Sequence, residues 1–328
     1  MSSDLFLSKT SVVGGGLMGG QIALVLALGS REVALMSRRR ETLDRAETSI
    51  RRYAEDLQRH DRLRGDEPDA VVGRIRTTTD LEDALAGSEF VVESITEDLE
   101  AKQALFERMD GVAGRETLLA SNTSGLPISQ LAARATHRDR IAGSHFVQPA
   151  HIVPVAEVVR ADETSDASMD QIAAIWERLG WFPLRVNRDV PGFLINRLQH
   201  ALIREAVSLL ASGVAGPEDI DLAFRLGLAP RFTTAGPLEQ RDINGLNMHV
   251  RVASHLWKTL SGWEEALAYL QAMVDRGETG LEAGKGYYDW EGTDPQAIRT
   301  SKDEQLLTRT RQVMSDWQNE RKDRNAEP

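Results

Sequence analysis

Two periods of hydrophobic and polar positions alternate along the first 190 residues. Short apolar runs at Thr10–Val13, Val33–Met36, Phe90–Glu93, Thr117–Ala120 and Ile141–His145 predict strands. Residues 18–28, MGGQIALVLAL, read as a largely buried helix, and residues 40–65 as a long polar helical region. Strand–helix alternation of this kind predicts a mostly parallel sheet covered on both faces. After about residue 187 the pattern changes. Val190-Pro191-Gly192-Phe193 reads as a linker, and residues 194–213 carry apolar side chains at helical spacing (Leu194, Leu198, Leu202, Ala206, Leu209, Leu210). Further helical stretches cover 217–227, 243–259 and 263–276. The expected organisation is an α/β domain at 1–187, an all-α domain at 188–291, and a charged tail at 292–328 whose segment 302–321 can form one amphipathic helix.

Composition narrows the function. With 328 residues, 41% hydrophobic and 27% charged, the chain suits a soluble globular protein with a sizeable core. A net charge of −11 argues against a general nucleic-acid partner, because phosphates attract the opposite sign. There is no cysteine, which excludes disulfides, thiolate catalysis and Cys-based zinc sites, and no metal site is read from the sequence. No run approaches the ~18 apolar residues of a membrane span. The N-terminal MSSDLFLSKT lacks the basic segment and long apolar run of a signal peptide. A cytoplasmic protein without a membrane partner is expected.

Gly14-Gly15-Gly16-Leu17-Met18-Gly19 fits G-x-G-x-x-G, with a strand candidate before it and an apolar helix after it. In that context the motif is the dinucleotide-binding turn of a Rossmann-type domain. Gly14 permits the tight turn, Gly16 lets the backbone approach a pyrophosphate, and Gly19 lets the helix pack closely on the sheet. The first helical turn, through Leu17 and Met18, offers free N–H groups and a positive dipole end to the anion. An acidic residue normally follows roughly 20 positions on, where it holds the ribose. Here that slot is Ser37, followed by Arg38, Arg39 and Arg40. Serine can hydrogen-bond a 2′-phosphate and arginine can pair with it, which favours NADP over NAD. The competing reading is a solvated helix start, with NAD held through the backbone.

Six stretches, in order, carry a resemblance: GGGLMGGQIA, VVESITEDLEAKQALF, SNTSGLPIS, GSHFVQPAHIVPVAEVV, DVPGFLINRL and GKGYYDW. Over about residues 9–290 the chain resembles the 3-hydroxyacyl-CoA dehydrogenase family, including its λ-crystallin/L-gulonate 3-dehydrogenase-like small hydroxy-acid branch. The resemblance implies a helical second domain that builds a homodimer, and a place in fatty acid metabolism or small hydroxy-acid chemistry. It implies hydride transfer between NAD(P) and C3 of a 3-hydroxyacyl-CoA or a small 3-hydroxy acid. By the same resemblance His145 is the general base, Glu157 orients it, Ser124 hydrogen-bonds the substrate oxygen and Asn196 polarises it. Glu97 and Lys102 match cofactor- and substrate-side positions; the alternative for them is a surface pair on a helix.

Elementary chemistry agrees. Removing a hydride from a secondary alcohol also requires removing the hydroxyl proton, and an imidazole titrates near neutral pH. A carboxylate behind it fixes the tautomer, and an amide donor suits an alkoxide-like transition state. His60, His137, His200 and His255 read as structural, and His151 is a weaker candidate for substrate contact. The chain also departs from the family. Gln148 stands where H-x-x-N-P has Asn, Pro154 where fatty-acyl members carry Lys, and Glu282 where the family tends to have Lys. These changes concern substrate recognition more than chemistry; SNTSGLPIS and QPAHIVP lean toward a compact or carboxylate-bearing substrate, with Arg231 and Arg241 as candidate partners for its acid group. Two rival functions stand beside this one: an NADPH-dependent 3-oxoacyl reductase in the biosynthetic direction, and a catalytically silent crystallin-like member.

Overall fold

The computed structural model describes residues 5–326. Along the chain run β1 (Leu7–Val13), α1 (Leu17–Ala27), β2 (Ser30–Met36), α2 (Arg40–Arg59), α3 (Pro68–Val72), β3 (Ile75–Thr78), α4 (Leu81–Leu85) and β4 (Phe90–Glu93). They are followed by α5 (Leu99–Val112), β5 (Leu118–Ser121), α6 (Ile128–Leu131), β6 (Ile141–Phe146), β7 (Val155–Arg160), α7 (Asp166–Leu179) and β8 (Phe182–Val186). The remaining helices are α8 (Ile195–Ala211), α9 (Pro217–Leu222), α10 (Ala229–Thr234), α11 (Pro237–Asn244), α12 (Leu246–Leu256), α13 (Trp263–Asp275) and α14 (Pro295–Ala326).

The eight strands form one sheet in the order β3-β2-β1-β4-β5-β6-β7-β8. β1 to β6 are mutually parallel, β7 runs antiparallel to β6, and β8 is parallel to β7. The first six follow the doubly wound dinucleotide-binding order, which reverses between β1 and β4 and leaves a crevice at their carboxyl ends. One apolar layer packs α1, α2 and α7 on the sheet. It includes Ile22, Leu24, Leu26, Ile50, Leu57 and Trp176. The other layer includes Leu85, Phe106, Met109, Leu131 and Val159. α1 is buried from Gly19 to Ala27, and Gln21, the one polar side chain in that run, accepts a hydrogen bond from the Ala150 N–H. α2 is amphipathic instead, burying Leu43, Ala46, Ile50, Tyr53, Ala54 and Leu57 at helical spacing. It stops at Arg59, short of the expected residue 65, where Asp61, Arg64 and Gly65 take left-handed backbone.

The chain divides into two compact units, Met1–Asn196 with Asp303–Pro328, and Arg197–Lys302. The division expected at 187/188 is thus drawn at 196/197, because the turn at 190–195 is bonded to the sheet domain. Within the second unit the helix expected over 243–259 is broken at Gly245, whose φ of 86° ends α11 before α12 begins. The tail, expected as a separate extension, joins the first unit from Asp303 onward. Leu307 of α14 is buried in the same apolar cluster as Leu57 and Leu63, Arg311 pairs with Asp61, and Trp317 meets Phe182 edge-on. Among the described residues no helix is long and apolar enough to cross a membrane, and no group of three acidic or histidine side chains is placed to hold a metal.

Candidate active site

The glycine turn joins β1 to α1 at the crevice. Gly14 has φ 125°, and a Cβ there would lie 2.3 Å from the carbonyl oxygen of Ser94, which follows β4. A Cβ on Gly19 would lie 1.7 Å from the carbonyl oxygen of Gly14, so the helix packs against the turn as only glycine allows. Nothing stands within 4 Å of where a Cβ on Gly16 would be. α1 has no side-chain cap and no acidic residue in its first turn, so its leading N–H groups, at exposed Leu17 and partly buried Met18, remain open to an anion. A cleft of about 330 Å³ lies beside the turn, lined by Gly15, Gly16, Leu17, Thr42, Arg45 and Ser49 among others. This cradle fits a dinucleotide pyrophosphate.

Ser37 ends β2 against this turn: a Cβ on Gly15 would come within 3.0 Å of the Ser37 Cβ. Arg40 begins α2 and is tied back to Asp44 (2.8 Å), Glu47 (3.1 Å) and the Thr77 hydroxyl (3.0 Å). Arg38 and Arg39 are exposed. Among the described residues neither makes an ion pair.

His145 and Glu157 are brought together by register. They face each other directly across the antiparallel β6–β7 pair, which sets their side chains on one face of the sheet. His145 Nδ1 lies 2.5 Å from Glu157 Oε2. A carboxylate only accepts, so Nδ1 carries the proton and, in the neutral ring, Nε2 keeps its lone pair. The other carboxylate oxygen, Oε1, accepts from the backbone N–H groups of Leu194 (2.8 Å) and Ile195 (2.9 Å). Burial alone would raise the Glu157 carboxyl. The imidazole and the two N–H donors outweigh it and hold the group below its ordinary 4.5. Those donors are aimed by a turn in which Gly192 (φ 77°) and Phe193 (φ 48°) both take left-handed backbone. Phe193 is buried, with its ring 5.7 Å from that of His145.

The same turn reaches Ser124. Asn196 Nδ2 donates to the Ser124 carbonyl at 2.8 Å. Ser124, exposed, donates its N–H (3.0 Å) and its hydroxyl (3.3 Å) to Glu97 Oε1, which also accepts from the Thr123 hydroxyl. Burial would raise Glu97; Thr123 and Lys102 together with the Ser124 N–H hold it below 4.5. Lys102 is buried rather than on a helix surface, with its ammonium 2.6 Å from Glu93 and 3.4 Å from Glu97. Gln148 is exposed, three residues beyond His145.

Several side chains here carried no readable sequence signal. Glu93 closed an apolar run, and Asn122 lay in a turn-like N-T-S-G. Asn122 accepts from the Phe146 N–H (2.9 Å) and donates to Ser94 (3.2 Å), joining the ends of β5, β6 and β4. Arg231 and Arg241 lie in the second unit, on α10 and α11.

Comparison with known proteins gives the family. The family model for the 3-hydroxyacyl-CoA dehydrogenase NAD-binding domain covers residues 9–190, and that for its C-terminal domain covers 192–290. The chain is 31% identical over 308 residues to 5-formyl-3-hydroxy-2-methylpyridine 4-carboxylate 5-dehydrogenase of Mesorhizobium japonicum, covering 92% of this chain and 96% of that one. It is 35% identical over 283 residues to a probable 3-hydroxybutyryl-CoA dehydrogenase of Deinococcus radiodurans, covering 86% and 100%. Among solved structures, a 5-formyl-3-hydroxy-2-methylpyridine 4-carboxylic acid 5-dehydrogenase, described as an NAD⁺-dependent dismutase, superimposes with a TM-score of 0.87 at 29% identity, covering 94% and 99%. The chain belongs to the 3-hydroxyacyl-CoA dehydrogenase family and is a nicotinamide-dependent oxidoreductase with that family's dinucleotide-binding domain.

Proposed function

We propose that the chain oxidises the hydroxyl of a compact 3-hydroxy acid or its CoA thioester, with His145 as general base. The observation that carries this reading is the His145–Glu157 pair, proton-donating at Nδ1 and open at Nε2. It is tied through one turn to Asn196 and Ser124. Nε2 takes the hydroxyl proton as the C–H bond breaks, and Glu157 stabilises the imidazolium that results. The Ser124 hydroxyl and the free N–H of Asn196 hold the oxygen as negative charge develops on it. The nicotinamide cofactor, when bound, supplies the hydride acceptor. The glycine turn, from Gly14 to Gly19, would hold its pyrophosphate and Gln148 would border its nicotinamide end, with Glu97 on the substrate side beside Ser124.

Ser37 and the unpaired Arg38 favour a 2′-phosphate, so NADP is the preferred cofactor. With NADPH the same groups serve the reverse reduction of a 3-oxo acid. A free, carboxylate-bearing substrate is favoured over a thioester by the breadth of the likeness to the formyl-pyridine carboxylate enzyme. That likeness covers 94% of the chain, more than residues 1–290 can supply, and so includes part of α14. The complete His–Glu–Ser–Asn set speaks against a silent crystallin-like protein. The test is a panel of 3-hydroxy acids, aromatic hydroxymethyl and formyl carboxylates, and 3-hydroxyacyl-CoA thioesters, each with NAD⁺ and NADP⁺, read by nicotinamide absorbance. We expect turnover on a free acid with the lower KM for NADP⁺. No turnover with any member defeats the reading, and a lower KM for NAD⁺ defeats its cofactor part.

A further inference from the structure

Glu93 is fully buried at the carboxyl end of β4, where the strand order reverses, and the mechanism above does not use it. It sits directly opposite Val13 of β1 on one side and Ser121 of β5 on the other. Its carboxylate is completely engaged. Oε1 accepts from Lys102 Nζ (2.6 Å) and the Ile95 N–H (2.6 Å), and Oε2 accepts from the Ser121 hydroxyl (2.5 Å). Two of these partners, Lys102 and Ser121, lead toward Ser124. Lys102 reaches on to Glu97, whose other oxygen holds the Ser124 N–H and hydroxyl. The Ser121 hydroxyl accepts from the Thr123 N–H at 3.2 Å, and Thr123 in turn donates to Glu97.

We infer that Glu93 is a positioning residue for the substrate-oxygen site, acting through Lys102, Ser121 and Glu97 on the 121–125 loop. A buried carboxylate that fixes both a buried ammonium and a buried hydroxyl holds two sides of that loop at once. Removing its charge leaves Lys102 with Glu97 as its one carboxylate partner, which draws Glu97 away from Ser124. The cofactor cradle is held separately, by Gly14 N–H to Met36 and Ser94 N–H to Val13, at 2.8 Å each. The inference rests on the dehydrogenase reading of the site.

The test measures kcat and the cofactor KM per folded enzyme, well below each variant's Tm, for wild type, Glu93→Gln, Glu97→Gln and the double variant. Glu93→Gln lowers kcat by about 10- to 100-fold, the scale of a ~1 Å misplacement, and leaves the cofactor KM within about twofold. Because Glu93 acts through Glu97, the double variant loses no more than the worse single variant, a non-additivity that a purely stabilising role would not produce. If Glu93→Gln does not fold, Ser121→Ala takes its place in the same cycle, with a loss of several-fold in kcat. Wild-type kcat in the folded variant overturns the inference, as do losses that multiply independently. An inactive wild type removes the functional reading and this inference with it, whereas an active wild type with an equally active variant removes the inference alone.

Discussion

Two histidines six residues apart show how environment decides what an imidazole does. His145 has a carboxylate at Nδ1 and an open Nε2. His151 is buried with its Nδ1 unpartnered, its ring 4.4 Å from that of Tyr53. Burial, with Arg62 and Arg52 adding, pushes His151 down from 6.5 to about 3. It is a packed neutral ring rather than a group poised for proton transfer. The sign of its effect on stability follows. Below about pH 6.5 the unfolded chain takes up a proton that the folded chain refuses until about pH 3. Stability therefore falls as pH is lowered through that window, by up to about 1.4 kcal/mol per pH unit. Glu157, with its depressed carboxyl, contributes stability in full above 4.5 and loses it only as pH falls further. Between pH 6.5 and 4.5 the His151 effect can be isolated, and His151→Phe, which keeps a ring against Tyr53, should flatten that part of the acid limb in urea melts. An acid limb of unchanged slope between those values contradicts this account of His151.

At the level of elements, legibility followed burial. β1, β2, β4, β5 and β6 are central or apolar strands, and their runs stood out from the sequence. β3 and β8 are the two edges of the sheet. Their residues, IRTT and FPLRV, are half-buried, and β8 carries a proline, so neither presented an apolar run. The glycine turn was legible from its pattern between a strand and a helix, and Gly14 and Gly19 each have a steric reason to be glycine. The pairing of His145 with Glu157 came from the resemblance and was not legible in the spacing alone. Their register depends on the path of residues 147–154, which distant side chains hold. Gln21 accepts the Ala150 N–H at 2.8 Å, Trp181 donates to the Ala150 carbonyl at 3.2 Å, and Arg62 donates to the Ile152 carbonyl at 2.6 Å. Lys102 was read as a cofactor- or substrate-side residue, with a surface pair on a helix as the alternative. Its ammonium is buried rather than on the surface, because the strand carrying Glu93 sets a carboxylate 2.6 Å from it.

At the scale of the whole molecule, the two units differ in how they use apolar surface. The first has a large core on both faces of its sheet. In the second, Val207, Ala253, Ala266 and Met273 are buried apolar residues, while Leu226, Leu238, Ile243, Val250 and Trp257 are each more than 60% exposed. Apolar exposure on that scale marks an interaction surface, and a homodimer formed through this unit is the occupant we propose. Light scattering should give twice the 36.3 kDa chain mass. Glu in place of the exposed Leu198 and Leu202 of α8 should lower it toward one chain, and a monomeric wild type would remove the proposal.

We propose that this chain removes a hydroxyl proton with His145 beside a separately built cofactor cradle. Steady-state turnover of His145→Ala, paired with a fluorescence titration of the reduced cofactor, tests it most directly. The account predicts a loss of about 10²- to 10⁴-fold in kcat, the usual worth of a positioned base, with the cofactor Kd within about twofold of wild type. Turnover that survives the substitution at the wild-type rate would contradict it.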